Sequence, residues 1–159
     1  MKHFLLRYVT AVLVLILFVY VDFTGLSEML NRWQTQITLY GISYFIDASY
    51  ISADMLIAST QLKLQITQAC NGMLPFFFYL AGVAAYRTSL WKKLLWSIVG
   101  YGVITIVNVG RIVSVYYLSK INPTWFDRAH YLLGNLLMVT VVSLLLLCYF
   151  KFTSIRMPK

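Results

Sequence analysis

The stretch Leu94–Leu118, with the sequence LLWSIVGYGVITIVNVGRIVSVYYL, decides the fold class. It contains a single charged residue, Arg111, and it exceeds the ~20 apolar residues that a helix needs to cross a bilayer. Similar apolar stretches recur along the chain, and we predict membrane spans at about residues 4–21, 71–87, 94–118 and 130–150. The predicted fold is therefore an all-α integral membrane protein with about four transmembrane helices.

The composition excludes an ordinary soluble domain. Of the 159 residues, 60% are hydrophobic and 11% are charged, whereas about a quarter of the residues in a soluble domain are charged. The spans and the segment between the first two of them leave no room for a separate soluble domain of the usual size. We therefore expect a single membrane domain over residues 1–159.

The charged residues divide between the two sides of the membrane. The net charge is +8, and all 5 acidic residues fall on one side. The other side carries basic residues only: Lys2, Arg7, Arg87, Lys92, Lys93, Lys151, Arg156 and Lys159. Because basic residues concentrate in cytoplasmic loops, both termini and residues 87–93 are predicted to be cytoplasmic. The basic excess thus indicates topology, and we expect no nucleic-acid partner.

The first apolar stretch, Phe4–Val21, also has the basic start of a secretory signal peptide. Its apolar core is long for a signal peptide, and no A-x-A cleavage site follows it. We therefore expect a retained helix, with a signal peptide as the alternative.

Residues 22–69 form the predicted extracytoplasmic segment. Apolar residues recur with helical spacing along Leu26–Tyr44, which predicts an amphipathic helix lying at the outer membrane surface. Further along, LKLQIT at Leu62–Thr67 alternates apolar and polar residues, as strands do. With Met55–Ala58 as its partner, this stretch predicts a small β-ribbon that leads directly to Cys70.

Cys70, Arg111 and His130 reach a similar depth in the predicted topology. Counted from the nearest cytoplasmic charges at about 1.5 Å per residue, Cys70 lies roughly 25 Å up, Arg111 roughly 27 Å and His130 roughly 31 Å. A bilayer core is about 30 Å thick, so all three lie near its outer edge. A charge within a span is costly and points to function. Asn108 lies one turn before Arg111 on the same face.

These residues suit nucleophilic catalysis. Cys70 is expected at the start of the second span, where free N–H groups favour a thiolate. His130 is the candidate general base and acid, and Arg111 is the candidate stabiliser of the thiolate or of the oxyanion. Asn108 is expected to hold Arg111 or to donate a hydrogen bond itself. Gly72 is expected to admit the substrate main chain closely.

Cys148 has a different position. It lies near the cytoplasmic end of the fourth span, far from Cys70 in the predicted topology, so we expect no disulfide between them. We interpret Cys148 as a small buried hydrophobic residue.

Three motifs carry a family resemblance: ACNG at Ala69–Gly72, NVGR at Asn108–Arg111 and HYLLG at His130–Gly134. Their order, spacing and side of the membrane resemble the exosortase/archaeosortase family, over about Leu62–Phe150. Asn71 stands where a Ser is common in that family. Many members have more helices, so the chain resembles short subgroups such as exosortase H.

The resemblance implies a membrane-embedded cysteine protease or transpeptidase with Cys70, Arg111 and His130 as catalytic residues. Its substrates would be secreted proteins with a C-terminal motif, a hydrophobic helix and a basic end. They would be cleaved at the outer face of the lipid bilayer and transferred to an acceptor nucleophile of unknown identity. The expected location is a bacterial inner (cytoplasmic) membrane, with the site facing the periplasm. No cofactor is expected and no metal, because Cys70 and His130 are too few ligands.

A function of another class stays open at this point, namely a non-catalytic polytopic subunit or scaffold in which Arg111 pairs with a partner protein. External labelling of Cys70 by a thiol reagent near neutral pH separates the two, since a structural cysteine would not react. Other classes fit less well. A thiol oxidoreductase needs paired cysteines on one side, and a proton-coupled carrier needs a carboxylate within a span.

The charge distribution generates a topology prediction. A cytoplasmic reporter fused after Lys159 should be active, and a reporter that works only outside the cytoplasm should be inactive there, because basic ends stay inside. The same pair of reporters inserted into residues 22–69 should give the opposite result. Activity of the external reporter after Lys159 would overturn the predicted orientation.

Overall fold

The computed structural model describes residues 2–20, 25–58, 63–67 and 70–154, and in these residues the chain is mostly helical. The α-helices are α1 (Lys2–Tyr20), α2 (Leu26–Ile42), α3 (Met73–Ala85), α4 (Leu90–Ile121) and α5 (Gly134–Ser154). Short 3-10 turns occur at Ala48–Tyr50 and Pro123–Trp125. A wide π-helical turn, Arg128–Leu133, leads into α5.

Two helical regions of the described chain are long and apolar enough to cross a membrane. They are Leu90–Ile121, which is α4, and Pro123–Thr153, which joins the π-helical turn to α5. Two shorter apolar helices are His3–Leu17 within α1 and Met73–Ala85. These helices occur where spans are predicted, and the four-span arrangement itself stays a prediction.

Helix α3 contacts α1, α4 and α5, and a buried cluster fills the space among α3, α4 and α5. Its members are Tyr79, Val83, Ile104, Met138, Val142 and Tyr149. Both tyrosine hydroxyls donate to main-chain carbonyls, Tyr79 to Trp96 at 2.8 Å and Tyr149 to Val83 at 3.2 Å. The polar atoms of this cluster therefore have partners, as an apolar interior requires.

The segment between α2 and α3 holds a three-stranded antiparallel sheet in the order β1-β2-β3, with β1 at Ile51–Ser52, β2 at Met55–Ile57 and β3 at Lys63–Gln65. The sheet thus has one strand more than the predicted ribbon, and residues 59–62, between β2 and β3, lie outside the described residues. Leu56 and Leu64 pack against residues of α2 and α4 in a second buried cluster. That packing places the sheet beside α4.

Helix α2 turns its polar side toward the protein. Gln34 and Thr38 are buried, whereas Met29, Trp33 and Tyr40 are exposed. This orientation suits an apolar environment, because buried polar groups can be hydrogen-bonded inside the protein while apolar side chains face outward. The sequence predicts that α2 has an apolar side and a polar side. The structure shows that the polar side contacts the rest of the protein.

The contact between Gly100 and Tyr79 generates a stability prediction. A Cβ at Gly100 would overlap the buried Tyr79 ring, whereas nothing lies within 4 Å of the corresponding position at Gly102 on the same helix. Gly100→Ala should destabilise the fold by about 1–3 kcal/mol through overpacking. Gly102→Ala should leave stability unchanged or raise it by up to about 1 kcal/mol, through helix propensity. Thermal unfolding of the purified variants in detergent measures both, and equal melting temperatures would contradict this packing.

Candidate active site

Cys70 lies in a turn just before α3. The N–H groups of Cys70 and Asn71 both donate to the Thr67 carbonyl, at 2.9 and 3.1 Å. Helix α3 begins only at Met73, with Gly72 as its N-cap residue. Cys70 is therefore not at the helix start, and that part of the sequence interpretation is wrong. The physical reason is the left-handed conformation of Gly72, with φ of 87°, which separates the turn from the helix.

Not all of the first positions of α3 offer a free N–H group. The Met73 N–H donates to Asn71 Oδ1 at 3.1 Å, and Pro75 has no N–H. The start of α3 therefore offers fewer free N–H groups near Cys70 than the sequence suggests.

Two side chains contact the Cys70 sulfur. His130 Nε2 lies 3.4 Å from Cys70 Sγ, and the Thr67 hydroxyl donates to Sγ at 3.5 Å. The His130 ring stacks on Phe126, with centroids 5.2 Å apart, and meets Tyr131 edge to face at 4.9 Å. These ring contacts orient the imidazole toward the sulfur, so the pair is placed for proton transfer.

Arg111 is buried, with 6% of its surface exposed. Its Nη2 donates to the His130 carbonyl at 3.2 Å and to Asn135 Oδ1 at 3.3 Å. Its Nε has no hydrogen-bond partner among the described residues. Arg111 thus contacts the main chain of the π-helical turn that carries His130, and it retains an unused donor.

Gly134 and Asn135 complete the surroundings of Arg111. A Cβ at Gly134 would overlap Arg111 Nε, so the guanidinium packs directly on the main chain there. Gly134 ends the HYLLG motif, which gives it no role by itself, and no motif marks Asn135. A signal for Asn135 existed, because a charge within a span needs polar partners at its own depth.

Asn108 supports the cysteine turn. Its Nδ2 donates to the Cys70 carbonyl at 2.9 Å, and the two roles expected for Asn108 stay predictions. Gly72 lies directly against Asn108, since a Cβ on Gly72 would be 3.2 Å from Asn108 Cγ. The approach of a substrate main chain that is expected at Gly72 also stays a prediction.

Asn71 connects the same turn to α2. Its carbonyl accepts hydrogen bonds from Gln34 Nε2 at 3.1 Å and from the Thr38 hydroxyl at 3.4 Å. Its Nδ2 donates to Asn31 Oδ1 at 2.7 Å. Tyr101 of α4 donates to Gln34 Oε1 at 2.7 Å. The sequence analysis identifies Asn71 but not these partners, which lie more than 30 residues away in sequence.

Cys70, Arg111 and His130 line one small cavity of about 40 Å³. Leu64–Ile66, at and after β3, form part of its wall. A larger groove of about 470 Å³ is lined by residues of α1, α3 and α5, and Arg111 and Asn135 contribute to it. Arg111 therefore lines both spaces.

Cys148 does not line the cavity that Cys70 lines. It is a free, exposed cysteine on α5, so its interpretation as a buried residue is wrong. Its neighbours Leu144 and Leu147 are exposed as well, which places this part of α5 at the apolar surface of the protein.

Comparison with known families gives one match. The family model described as transmembrane exosortase (Exosortase_EpsH) matches residues 2–148, a range that contains every site residue described above. No curated protein and no solved structure matches the chain. The match confirms the resemblance carried by the three motifs and, with the apolar helices, identifies a membrane protein. The chain belongs to the transmembrane exosortase family.

Proposed function

We propose that this protein is a membrane-embedded cysteine protease and transpeptidase. It cleaves the C-terminal sorting tail of secreted proteins at the outer face of the membrane and transfers the remaining protein to an acceptor. The observation that carries the proposal is the 3.4 Å contact between Cys70 Sγ and His130 Nε2 in a cavity that Arg111 also lines. Family membership supports the sorting-transpeptidase class.

The first half of the reaction forms a thioester. Cys70 gives its thiol proton to His130 Nε2, and the thiolate attacks the carbonyl carbon of the scissile peptide bond. A carbon–sulfur bond forms, and the carbonyl oxygen becomes an oxyanion. When the carbon–nitrogen bond breaks, His130 gives its proton to the leaving amine, and the hydrophobic tail departs.

The second half transfers the acyl group. An acceptor nucleophile gives its proton to His130 and attacks the thioester carbonyl. The carbon–sulfur bond then breaks, and the secreted protein is joined to the acceptor. The released Cys70 thiolate takes the proton back from His130, which restores the starting state. With water as the acceptor, the same steps hydrolyse the thioester.

Arg111 has two tasks in this proposal. Its Nη2 fixes the main chain of the turn that carries His130, which keeps the base in place. Its Nε–H, which has no partner among the described residues, is a donor for the oxyanion. An arginine suits both tasks because its planar group carries several donors in fixed directions.

The large groove supports delivery of the substrate through the membrane. It is lined by apolar residues such as Phe78, Met138 and Val142, and Arg111 also lines it. A hydrophobic tail helix lying in this groove would hold the adjoining cleavage motif near the cysteine. The basic end of the tail would stay in the cytoplasm by the same rule that orients this protein. We propose a bacterial inner membrane as the location, with the cavity facing the periplasm.

The alternative, a scaffold in which Arg111 pairs with a partner protein, has less support. Arg111 is 6% exposed, and its hydrogen bonds go to groups within the chain. Two of the acceptors that a buried guanidinium needs are therefore supplied within the chain, without a partner protein.

Replacement of Cys70 tests the proposal directly. Cys70→Ala and Cys70→Ser should abolish processing of a tailed secreted protein while leaving membrane insertion intact, because the nucleophile is lost. Cys148→Ala is the matched control and should process at the normal rate, since Cys148 lies apart on α5. Processing is measured by the mass of the secreted protein in cells that carry each variant. Normal turnover by Cys70→Ala would remove the assigned nucleophile.

Replacement of Arg111 tests its geometry. Arg111→Lys keeps the charge but loses the planar group, and we expect kcat to fall about 10²-fold, as for loss of an oxyanion donor. Asn108→Ala should cost less, about tenfold, because it loses one neutral hydrogen bond to the Cys70 carbonyl. Initial rates with purified variants in lipid vesicles measure both. Equal rates for Arg111→Lys and the wild type would exclude a role for the guanidinium shape.

A further inference from the structure

Strand β3 has a free edge, and the register shows which main-chain groups it presents. Leu64 pairs with Leu56 in the antiparallel ladder, and the Ile66 N–H donates to the Asp54 carbonyl at 2.8 Å. Hydrogen-bonded pairs alternate along such a ladder. Lys63 and Gln65 therefore direct their N–H and C=O groups away from β2.

Nothing in the described part of the chain pairs with this edge. The order β1-β2-β3 leaves β3 at the end of the sheet, and no main-chain hydrogen bond to Lys63 or Gln65 is found on that side among the described residues. Their side chains are exposed. An open edge of this kind is a template for another extended chain.

The edge leads into the cysteine cavity. Three consecutive residues, Leu64, Gln65 and Ile66, line that cavity, although side chains in a strand alternate between faces. The Gln65 side chain donates to Asp54 Oδ2 at 2.9 Å, just before β2. Because that side chain is engaged at Asp54, we assign the lining of the cavity to the Gln65 main chain. Cys70 and His130 line the same cavity.

We propose that the cleavage motif of the substrate binds as an added strand along the free edge of β3 and thereby places its scissile bond at Cys70. The inference rests on the proposed function and names how that site recognises its substrate. The occupant is an extended peptide main chain, because the edge offers alternating N–H donors and C=O acceptors about 7 Å apart. In such pairing the main-chain hydrogen bonds supply the affinity, and the side chains that line the cavity determine which peptide sequences are preferred.

A proline on the edge tests this without breaking the sheet. Gln65→Pro removes one outward N–H, and proline is tolerated where the N–H faces away from the ladder. Gln65→Ala is the matched control, since it loses the hydrogen bond to Asp54 but keeps the N–H. We expect kcat/KM of Gln65→Pro to be about tenfold below that of Gln65→Ala, as for one lost hydrogen bond. Equal values for the two variants would overturn the inference.

A second measurement uses the unaltered enzyme, so that misfolding of a variant cannot decide the outcome. The probe is a synthetic peptide that copies the motif, hydrophobic helix and basic end of a secreted protein from the same genome, with one main-chain nitrogen of the motif methylated at a time. Strand addition predicts that cleavage falls at every second position, where the N–H would face β3, and stays normal between them.

The outcomes of that scan separate the two proposals. Normal cleavage at all positions, or a uniform loss without alternation, overturns the added strand and leaves the protease intact. Failure of the enzyme to cleave the unmethylated peptide, when Cys70→Ala also leaves processing in cells unchanged, overturns the proposed function and the added strand together.

Discussion

The carbonyl groups of Cys70 and Asn71 have to find their hydrogen bonds inside the protein, and the surrounding structure is arranged around that requirement. An unsatisfied buried carbonyl costs about 1–3 kcal/mol. Asn108 of α4 satisfies the first, and Gln34 and Thr38 of α2 satisfy the second. The inward polar side of α2 and the contact between Gly72 and Asn108 follow from this. The cysteine is thus held through its main chain, which leaves its sulfur free to react.

Arg111, which lines the same cavity, also has to find its hydrogen bonds inside the protein. A buried guanidinium needs acceptors, and it finds one in the carbonyl of His130 and another in Asn135. A π-helical turn leaves main-chain groups in positions that a regular helix does not, and such turns often mark functional sites. Here that turn carries His130, the proposed base. The Arg111 guanidinium, which is costly to bury, therefore also positions His130 against the Cys70 sulfur.

The sequence locates the apolar helices, because hydropathy depends only on position along the chain. It also singles out six residues that the structure brings into contact with one another, and their catalytic and supporting roles stay predictions. Gln34 and Asn135 are not identified by the sequence, since their roles depend on contacts between elements and no periodicity marks them. The turn before α3 is missed for a related reason. An apolar run does not reveal that Gly72 takes a left-handed conformation, so the sequence alone places Cys70 at the helix start. The orientation of α2 likewise depends on a contact between elements, because Gln34 of α2 donates a hydrogen bond to the Asn71 carbonyl.

The long sequence separation within the reactive pair has a consequence for biosynthesis. Cys70 and His130 are 60 residues apart, and Asn108 and Arg111 lie between them in the chain. Domains generally form from the N-terminus during synthesis, so α2 can receive the cysteine turn while the later helices are still in the ribosome or the translocon. The cysteine turn then has its hydrogen bonds to α2 but lacks both Asn108 and His130. In the proposed mechanism a nascent copy therefore has no base as it passes through the same machinery as the secreted proteins, and the pair of Cys70 and His130 forms only when the last helix has been inserted.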